Sequence, residues 1–580
     1  MASEICPAEK NNMGSVEQCE SVERPATVDR DDTIKGSVYQ GLTFTSVTVY
    51  LAILAVGFAE MMVIISSGSL ARTMVADIGG SNKVQWISQS VPIVNLALGA
   101  PVSQAADYWG RKWFLVVSCA FAVVGSVIVS RATNIDMALA GNALASISTS
   151  AQPLLYAVAS EILPRRFRPA AQGGVSGIFA VGAIVGLLMG SALTKTNPSG
   201  WRIVWYFNTG LFAITALVIL VLYNPPPRAE QTNLTLREKL KKLDWVGIVT
   251  LAVAVTTLCI GLTWSENPFS WKDAHVLAPF LVGIALIICL ALYEGFIKKD
   301  GLFHHGLFSN DRNFAISCLL IFTEGMAFFV ANTYVPLEVS VLFESNSILA
   351  TLNFSIVFMG AVVGSIIASV ICSWSKQLRW PLVISYVGFV IFYACWMSIG
   401  FGDYKNTWGY NIFLGLGFGG CLTCVVVAAQ FSAPPELLAL SSGALITARS
   451  GGAAIGFAIG NAIFNSQIGK NLPRDIASAV APLGLPSESL GPFIQALNNH
   501  DDSAFATIEG VTPEIIQAGV HGLRQAYITS LRPLHSFGLA LSVLAVIASF
   551  FIIDPKSDFT MEVDAPLDEP KDQQDKRVDA

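Results

Sequence analysis

Val181-Gly182-Ala183-Ile184-Val185-Gly186-Leu187-Leu188-Met189-Gly190 places a glycine at every fourth position of a long apolar run. The spacing returns in Gly452-Ala453-Ala454-Ile455-Gly456-Phe457-Ala458-Ile459-Gly460, displaced by 270 residues. Residues four apart share one helix face, so each segment predicts a smooth ridge that lets a neighbouring backbone approach closely. Glu60 and Glu324, each embedded in an apolar run, are displaced by a similar 264 residues. Two ridges and two embedded carboxylates in the same order predict an internal repeat.

Around these segments the 580 residues hold fourteen apolar runs, near 47–67, 86–106, 113–130, 137–160, 172–193, 203–223, 245–263, 276–296, 314–335, 349–372, 381–400, 408–430, 439–467 and 534–553. A hydrocarbon core about 30 Å thick needs roughly 20 apolar residues per helical crossing. Composition agrees: 53% of residues are hydrophobic and only 13% charged, with a mean hydropathy of +0.57. A soluble chain carries roughly 25% charged residues, and the smaller share cannot cover a surface facing water. The fold class is therefore all-α integral membrane, with fourteen transmembrane helices. The repeat sets a six-helix bundle at 47–223 against a second at 314–553, with the pair at 245–296 inserted between them. Two bundles around a midplane cavity are the architecture of alternating access.

The remaining segments are polar. Residues 1–46 read as a disordered tail, 224–244 as a basic linker, 468–533 as a long loop with short amphipathic helices, and 554–580 as a second charged tail. With the N-terminus in the cytoplasm, the short inside loops hold fifteen Lys and Arg and the short outside loops seven. That bias puts both termini inside and the long loop outside. The first apolar run starts too far in and is too long for a cleavable signal peptide. Of ten cysteines, none falls in an outside loop, and Cys421-x-x-Cys424 lies in an apolar run without nearby histidines, so packing is its expected role.

Charges inside the membrane are few. Arg449 is the basic residue well within a run; Glu60 and Glu324 are the acidic ones, with Glu294 near the end of the eighth run. A charge at mid-bilayer costs about 2.5 kcal/mol or more, so such residues face a cavity or a partner. Withdrawal from water moves a carboxyl's titration toward the working range, which makes Glu60 and Glu324 candidate proton sites. Arg449 is a candidate counterion, for an anionic substrate group or for one of the carboxylates. A structural ion pair is the alternative reading of all three.

Ser103-Gln-Ala-Ala-Asp107-Tyr-Trp-Gly110-Arg111-Lys112, between the second and third runs, resembles the G-x-L-A-D-R-x-G-R-K loop of the major facilitator superfamily. The resemblance implies that Asp107, Gly110 and Arg111 belong to a cytoplasmic gate. Gly200-Trp201-Arg202-Ile-Val-Trp205-Tyr-Phe207-Asn208 resembles the start of helix 6 in the 14-helix drug:proton antiporters. Tyr223-Asn-Pro-Pro-Pro227, Leu243-Asp244-Trp245, Leu292-Tyr293-Glu294 and Ala448-Arg449-Ser-Gly451-Gly452 are similar to segments of the fungal trichothecene efflux pump family, which also includes siderophore transporters. That resemblance covers residues 45–555 and implies proton-driven export of a fungal secondary metabolite, or traffic of an iron chelate. Departures are visible: Ser103 and Tyr108 replace a glycine and an arginine of the gate loop. Asn142 stands for the helix-4 arginine, and Leu187 and Ser191 for a proline and a glycine of the helix-5 motif. Coupling then falls to Glu60, Glu324 and Arg449.

The functional expectation is proton-linked efflux of a small amphipathic molecule at the plasma membrane, or at a vacuolar or vesicle membrane, by a monomer. One proton crossing about 100 mV releases about 2.3 kcal/mol, and one pH unit adds about 1.4 kcal/mol. Together they sustain a roughly 500-fold gradient of an uncharged substrate. No cofactor is expected, the proton gradient being the energy source: the chain has no G-x-x-x-x-G-K-[ST] phosphate loop, no H-E-x-x-H and no G-x-S-x-G. The net charge of −6 argues against nucleic acid as a partner. An importer of an iron chelate or other organic anion, and a membrane sensor that binds without transporting, remain the alternatives.

Overall fold

The computed structural model describes residues 43–564 except 81–82, 226–234, 266–268, 299–300, 303, 310, 344–346, 487, 500–504 and 506–507. The expected first tail thus lies almost wholly outside the described residues. Every expected apolar run is helical: α1 (Phe44–Ser69), α2 (Val84–Trp109), α3 (Arg111–Ser130), α4 (Ile135–Ser146 and Gln152–Glu161), α5 (Arg168–Thr196), α6 (Trp201–Leu222) and α7 (Trp245–Trp264). Then follow α8 (Ala274–Leu292), α9 (Asn313–Leu342), α10 (Ser347–Ser375), α11 (Arg379–Met397), α12 (Tyr404–Ser432), α13 (Leu438–Val480) and α14 (Pro513–Ser549). Eleven described helices are long and apolar enough to cross a membrane. The other three are α2 and α13, which carry buried polar groups such as Asn95 and Ser441, and α4, which is broken into two shorter pieces.

The repeat is built as a matched pair of helix contacts. A Cβ on Gly182 would meet the Phe58 carbonyl of α1, and on Gly186 and Gly190 it would meet Met62 and Leu70. In the other half a Cβ on Gly452 would meet the Phe322 carbonyl of α9, and on Gly456 it would meet Met326. Gly460 faces Tyr334, Val330 and Leu534. Each ridge therefore seats α5 on α1, or α13 on α9, at backbone distance. Gly452→Val is expected to lower the thermal midpoint of the purified protein strongly, since overpacking costs about 1–3 kcal/mol. Gly451→Ala should leave it near the parent value, because a Cβ there meets nothing closer than 3.9 Å. Unfolding followed by size-exclusion chromatography after heating checks both.

The helices flanking the long loop run past the expected span edges. Helix α13 continues to Val480 and α14 starts at Pro513, so the segment between them is short and holds the helix Leu490–Asn499. Beyond the membrane these elements close a small core of their own from Ile476, Val480, Phe493, Leu497, Ile515 and Leu523. In the linker, Thr235 and Glu238 form a reciprocal capping box at the start of Leu236–Lys242. The hydrogen bonds from the Thr235 backbone and hydroxyl hold the Glu238 carboxyl below its ordinary range.

Residues 554–564 do not trail away as a free charged tail. Asp554 accepts from the backbone N–H groups of Leu378 and Arg379 (2.7 and 3.0 Å), capping α11. Phe559 is buried against Phe431 at the end of α12, with ring centroids 4.8 Å apart. Arg165 and Arg166 donate backbone N–H bonds to the carbonyls of Glu562 and Thr560 (2.9 and 2.8 Å). Asp564 pairs with both Arg165 and Arg168 at the start of α5. The segment is a strap joining the second bundle to the first.

Candidate functional site

Glu324 of α9 and Arg449 of α13 face each other because their helices are held together by the Gly452 and Gly456 ridge. Two parallel bonds join them: Nε to Oε2 at 2.7 Å and an Nη to Oε1 at 3.2 Å. This two-pronged geometry is specific to guanidinium and carboxylate. Glu324 is 0% exposed at its side chain and Arg449 12%. The guanidinium also lies 5.5–5.9 Å from the ring centroids of Phe328, Phe329 and Phe418. Phe328 and Phe418 are themselves stacked at 4.1 Å. A fixed charge pair in an aromatic box is suited to an amphipathic molecule, with rings for its flat apolar part and a charge for its polar group.

Glu60 lies apart from this pair. It is fully buried in α1, and among the described residues neither carboxylate oxygen has a hydrogen-bond partner. The repeat explains why. The position equivalent to Arg449 in the first half is Phe179 of α5, whose ring touches Gly57. The guanidinium that neutralises Glu324 therefore has no counterpart beside Glu60. Trp205 and Asn208 of α6, which packs on α1, and Ser126 of α3, which packs on α6, also carry buried polar atoms without partners among the described residues.

Helix α4 bridges the two acidic centres. It breaks at a 3₁₀ turn over Ser148–Ala151, ahead of Pro153. The Ser148, Thr149 and Ser150 hydroxyls donate to the Ala145, Ser146 and Ile147 carbonyls around the break (2.8, 2.7 and 2.6 Å). Tyr156, just past the break, is buried and lies within electrostatic reach of Glu324, Arg449 and Glu60. Asn142, before the break, accepts from Ser67 of α1 (2.7 Å) and donates to the Ile87 carbonyl and Ser90 of α2 (both 2.8 Å). At Asn142, where the resemblance implied a helix-4 arginine, this chain has a neutral knot of three helices.

Asp107, Gly110 and Arg111 come together at the end of the bundle that carries the strap. Gly110 adopts φ +90°, which turns the chain sharply between α2 and α3. Arg111 donates to Asp107 at 3.0 Å and pairs with Glu161 at the end of α4. The second Asp107 oxygen accepts the Leu440 N–H of α13 at 3.0 Å, so a carboxylate of the first bundle caps a helix of the second. Gln430 of α12 extends this seam: its Oε1 accepts from Ser160 and, at 3.1 Å, from Gln172. Both halves are thus locked together at this face.

Sequence reading missed Glu161, Gln172, Gln430 and Tyr156; a glutamine or tyrosine inside an apolar run was the available signal. It also missed Glu338 and His535, which bond at 2.7 Å between α9 and α14 and are buried. They fell at the edges of runs drawn to 335 and from 534. Cys424 faces Cys372 of α10 at 3.6 Å rather than Cys421, and all eight described cysteines are free. Among the described residues no group of three His, Cys, Asp or Glu is placed to hold a metal ion.

Comparison with known proteins fits this geometry. An MFS-type efflux pump of a Fusarium species is 24% identical over 522 residues, which is 87% of each chain. The trichothecene efflux pump of Fusarium sporotrichioides is 22% identical over 523 residues, covering 86% of this chain and 84% of that one. A solved proton:xylose symporter bound to 6-bromo-6-deoxy-D-glucose shares the fold, with a TM-score of 0.51, 12% identity and coverage of 91% and 98%. The sequence profile of the Major Facilitator Superfamily matches residues 49–457. A twofold helical repeat, a charge-latched loop after its second helix and this match over most of the length agree: the chain is a transporter, not an enzyme, and it belongs to the Major Facilitator Superfamily.

Proposed function

We propose that the protein exports a small amphipathic organic molecule, a fungal secondary metabolite or toxin, in exchange for protons. The observation that carries the reading is the Glu324–Arg449 pair set among Phe328, Phe329 and Phe418, a site for a flat apolar body with one polar group. The efflux pumps to which the chain is similar support the outward direction. Glu60 is the proton-exchanging carboxyl, and the Glu324–Arg449 pair reads whether substrate is bound. The protein acts as a monomer in the plasma membrane with both termini in the cytoplasm, which makes the latched face the cytoplasmic one. In that orientation the structure is the state closed to the cell interior.

Untargeted mass spectrometry of cells and medium, from a strain lacking this chain and from its parent, tests the proposal. A compound that accumulates inside the deletion strain and falls in its medium is the expected result and identifies the substrate. An iron chelate that builds up in the medium and is depleted in the cells would overturn export in favour of import.

A further inference from the structure

Outside the aromatic box, a cavity of about 670 Å³ lies between the inserted hairpin and the bundles. That is within the range of small-molecule sites. Its walls come from five helices: α2 through Leu96, α7 through Val255 and Cys259, α8 through Leu290, α9 through Phe322, and α13 through Gly451. The lining is almost wholly apolar. Glu294, at its rim, is engaged by the Leu302 N–H at 3.0 Å, and His305 bonds the Glu294 carbonyl at 3.0 Å. Nothing here invites a charged ligand.

One polar feature interrupts the lining. Thr447 of α13 is 4% exposed, lines the cavity, and its hydroxyl has no hydrogen-bond partner. The side-chain carbonyl oxygen of Asn95 is likewise buried and unpartnered, and both oxygens approach the same point beside Gly99, 3.3 and 3.6 Å from a Cβ placed there. Buried polar atoms mostly find partners, and the hydrogen-bonding group of a molecule in this cavity would supply one beside Thr447. Helix α8, the outer wall, is the span least buried within the protein, at 17%, so the cavity borders the bilayer.

We propose that this cavity is a second binding site, for a neutral single-chain amphiphile drawn from the bilayer, its apolar body between α7, α8 and α13 and its one hydrogen-bonding group on Thr447. The occupant is neutral because the rim charge is already engaged. It is narrow because the walls are five close helices, and amphipathic because the apolar lining is interrupted at Thr447, beside the Asn95 carbonyl oxygen. Thr447 and Phe322 each lie two residues before a member of the Arg449–Glu324 pair, so a molecule held here is separated from that pair only by the α9–α13 contact.

The test uses the full chain in lipid nanodiscs with hexadecanol bearing a diazirine, and mass spectrometry of the labelled peptides. Saturable labelling within 251–259 and 451–455 is expected. Gly451→Leu, whose side chain would project into the cavity from a position with free space, should cut it at least tenfold. Thr447→Val, which keeps the shape and removes the hydroxyl, should weaken the alcohol about fivefold, the weight of one hydrogen bond, and leave a diazirine hydrocarbon of equal length unaffected. Non-saturable labelling, or equal labelling of the parent and a folded Gly451→Leu, would overturn the site. If Gly451→Leu does not elute as a single folded species, the Thr447→Val comparison decides alone, and the absence of an alcohol-specific loss overturns the proposal. A diazirine phospholipid that labels the same peptides and is not displaced by excess hexadecanol would show a structural lipid instead, and would also overturn it.

Discussion

Arg449→Ala will cost both folding and transport, whereas Glu324→Gln with Arg449→Gln will restore folding and leave transport at background. The argument is electrostatic. Glu324 is fully buried, and Arg449 supplies both of its charge-assisted bonds. Removing one partner of a buried pair strands the other and destabilises by about 3–5 kcal/mol. Replacing both with neutral amides removes the stranded charge, so the thermal midpoint should recover most of the loss. Transport should not recover, because a substrate group can no longer compete for either charge. Arg449→Lys should sit between, since an ammonium keeps the charge but loses the two-pronged geometry. Transport in reconstituted vesicles beside thermal midpoints in detergent separates these outcomes. Equal transport by the parent, Arg449→Lys and Arg449→Ala proteins would remove the residue from the mechanism.

The opposite pattern is expected at Glu60. Glu60→Gln keeps the size and hydrogen-bonding capacity of the side chain and removes only its ability to release a proton. The carboxylate makes no hydrogen bond that the amide would break. The thermal midpoint should therefore hold or rise, while proton-driven transport is lost. In vesicles, the parent's flux should change with the imposed pH gradient and that of Glu60→Gln should not. A variant that transports with the parent's pH profile would sink the role of Glu60.

Helix positions and the repeat were legible because apolar length and glycine spacing act locally along the chain. The Arg111–Asp107 pairing was legible because the two residues are close in sequence, four apart. What could not be read was pairing across distance. Nothing in the sequence joins Arg449 to Glu324 rather than to Glu60; the decision comes from which helix each glycine ridge seats against. Gln430 and Gln172 bond across 258 residues, and a glutamine in an apolar run marks each one without naming its partner. Helices α13 and α14 run past the apolar segments drawn at 439–467 and 534–553 because their ends are held by a separate small core, so hydropathy falls before the helix does. The strap was read as a loose tail because its charges look solvated until Arg165 and Arg168 are placed beside Asp564.

The strap also sets an order of assembly. Arg165 is made 399 residues before Asp564. At about 5–20 residues per second, roughly 20–80 s pass between them on the ribosome. Throughout that interval the arginines at the start of α5 lack their aspartate, and Phe431 lacks its ring partner. This face of the molecule is therefore finished late, by almost the final residues described, and only a chain translated past Asp564 can seal it.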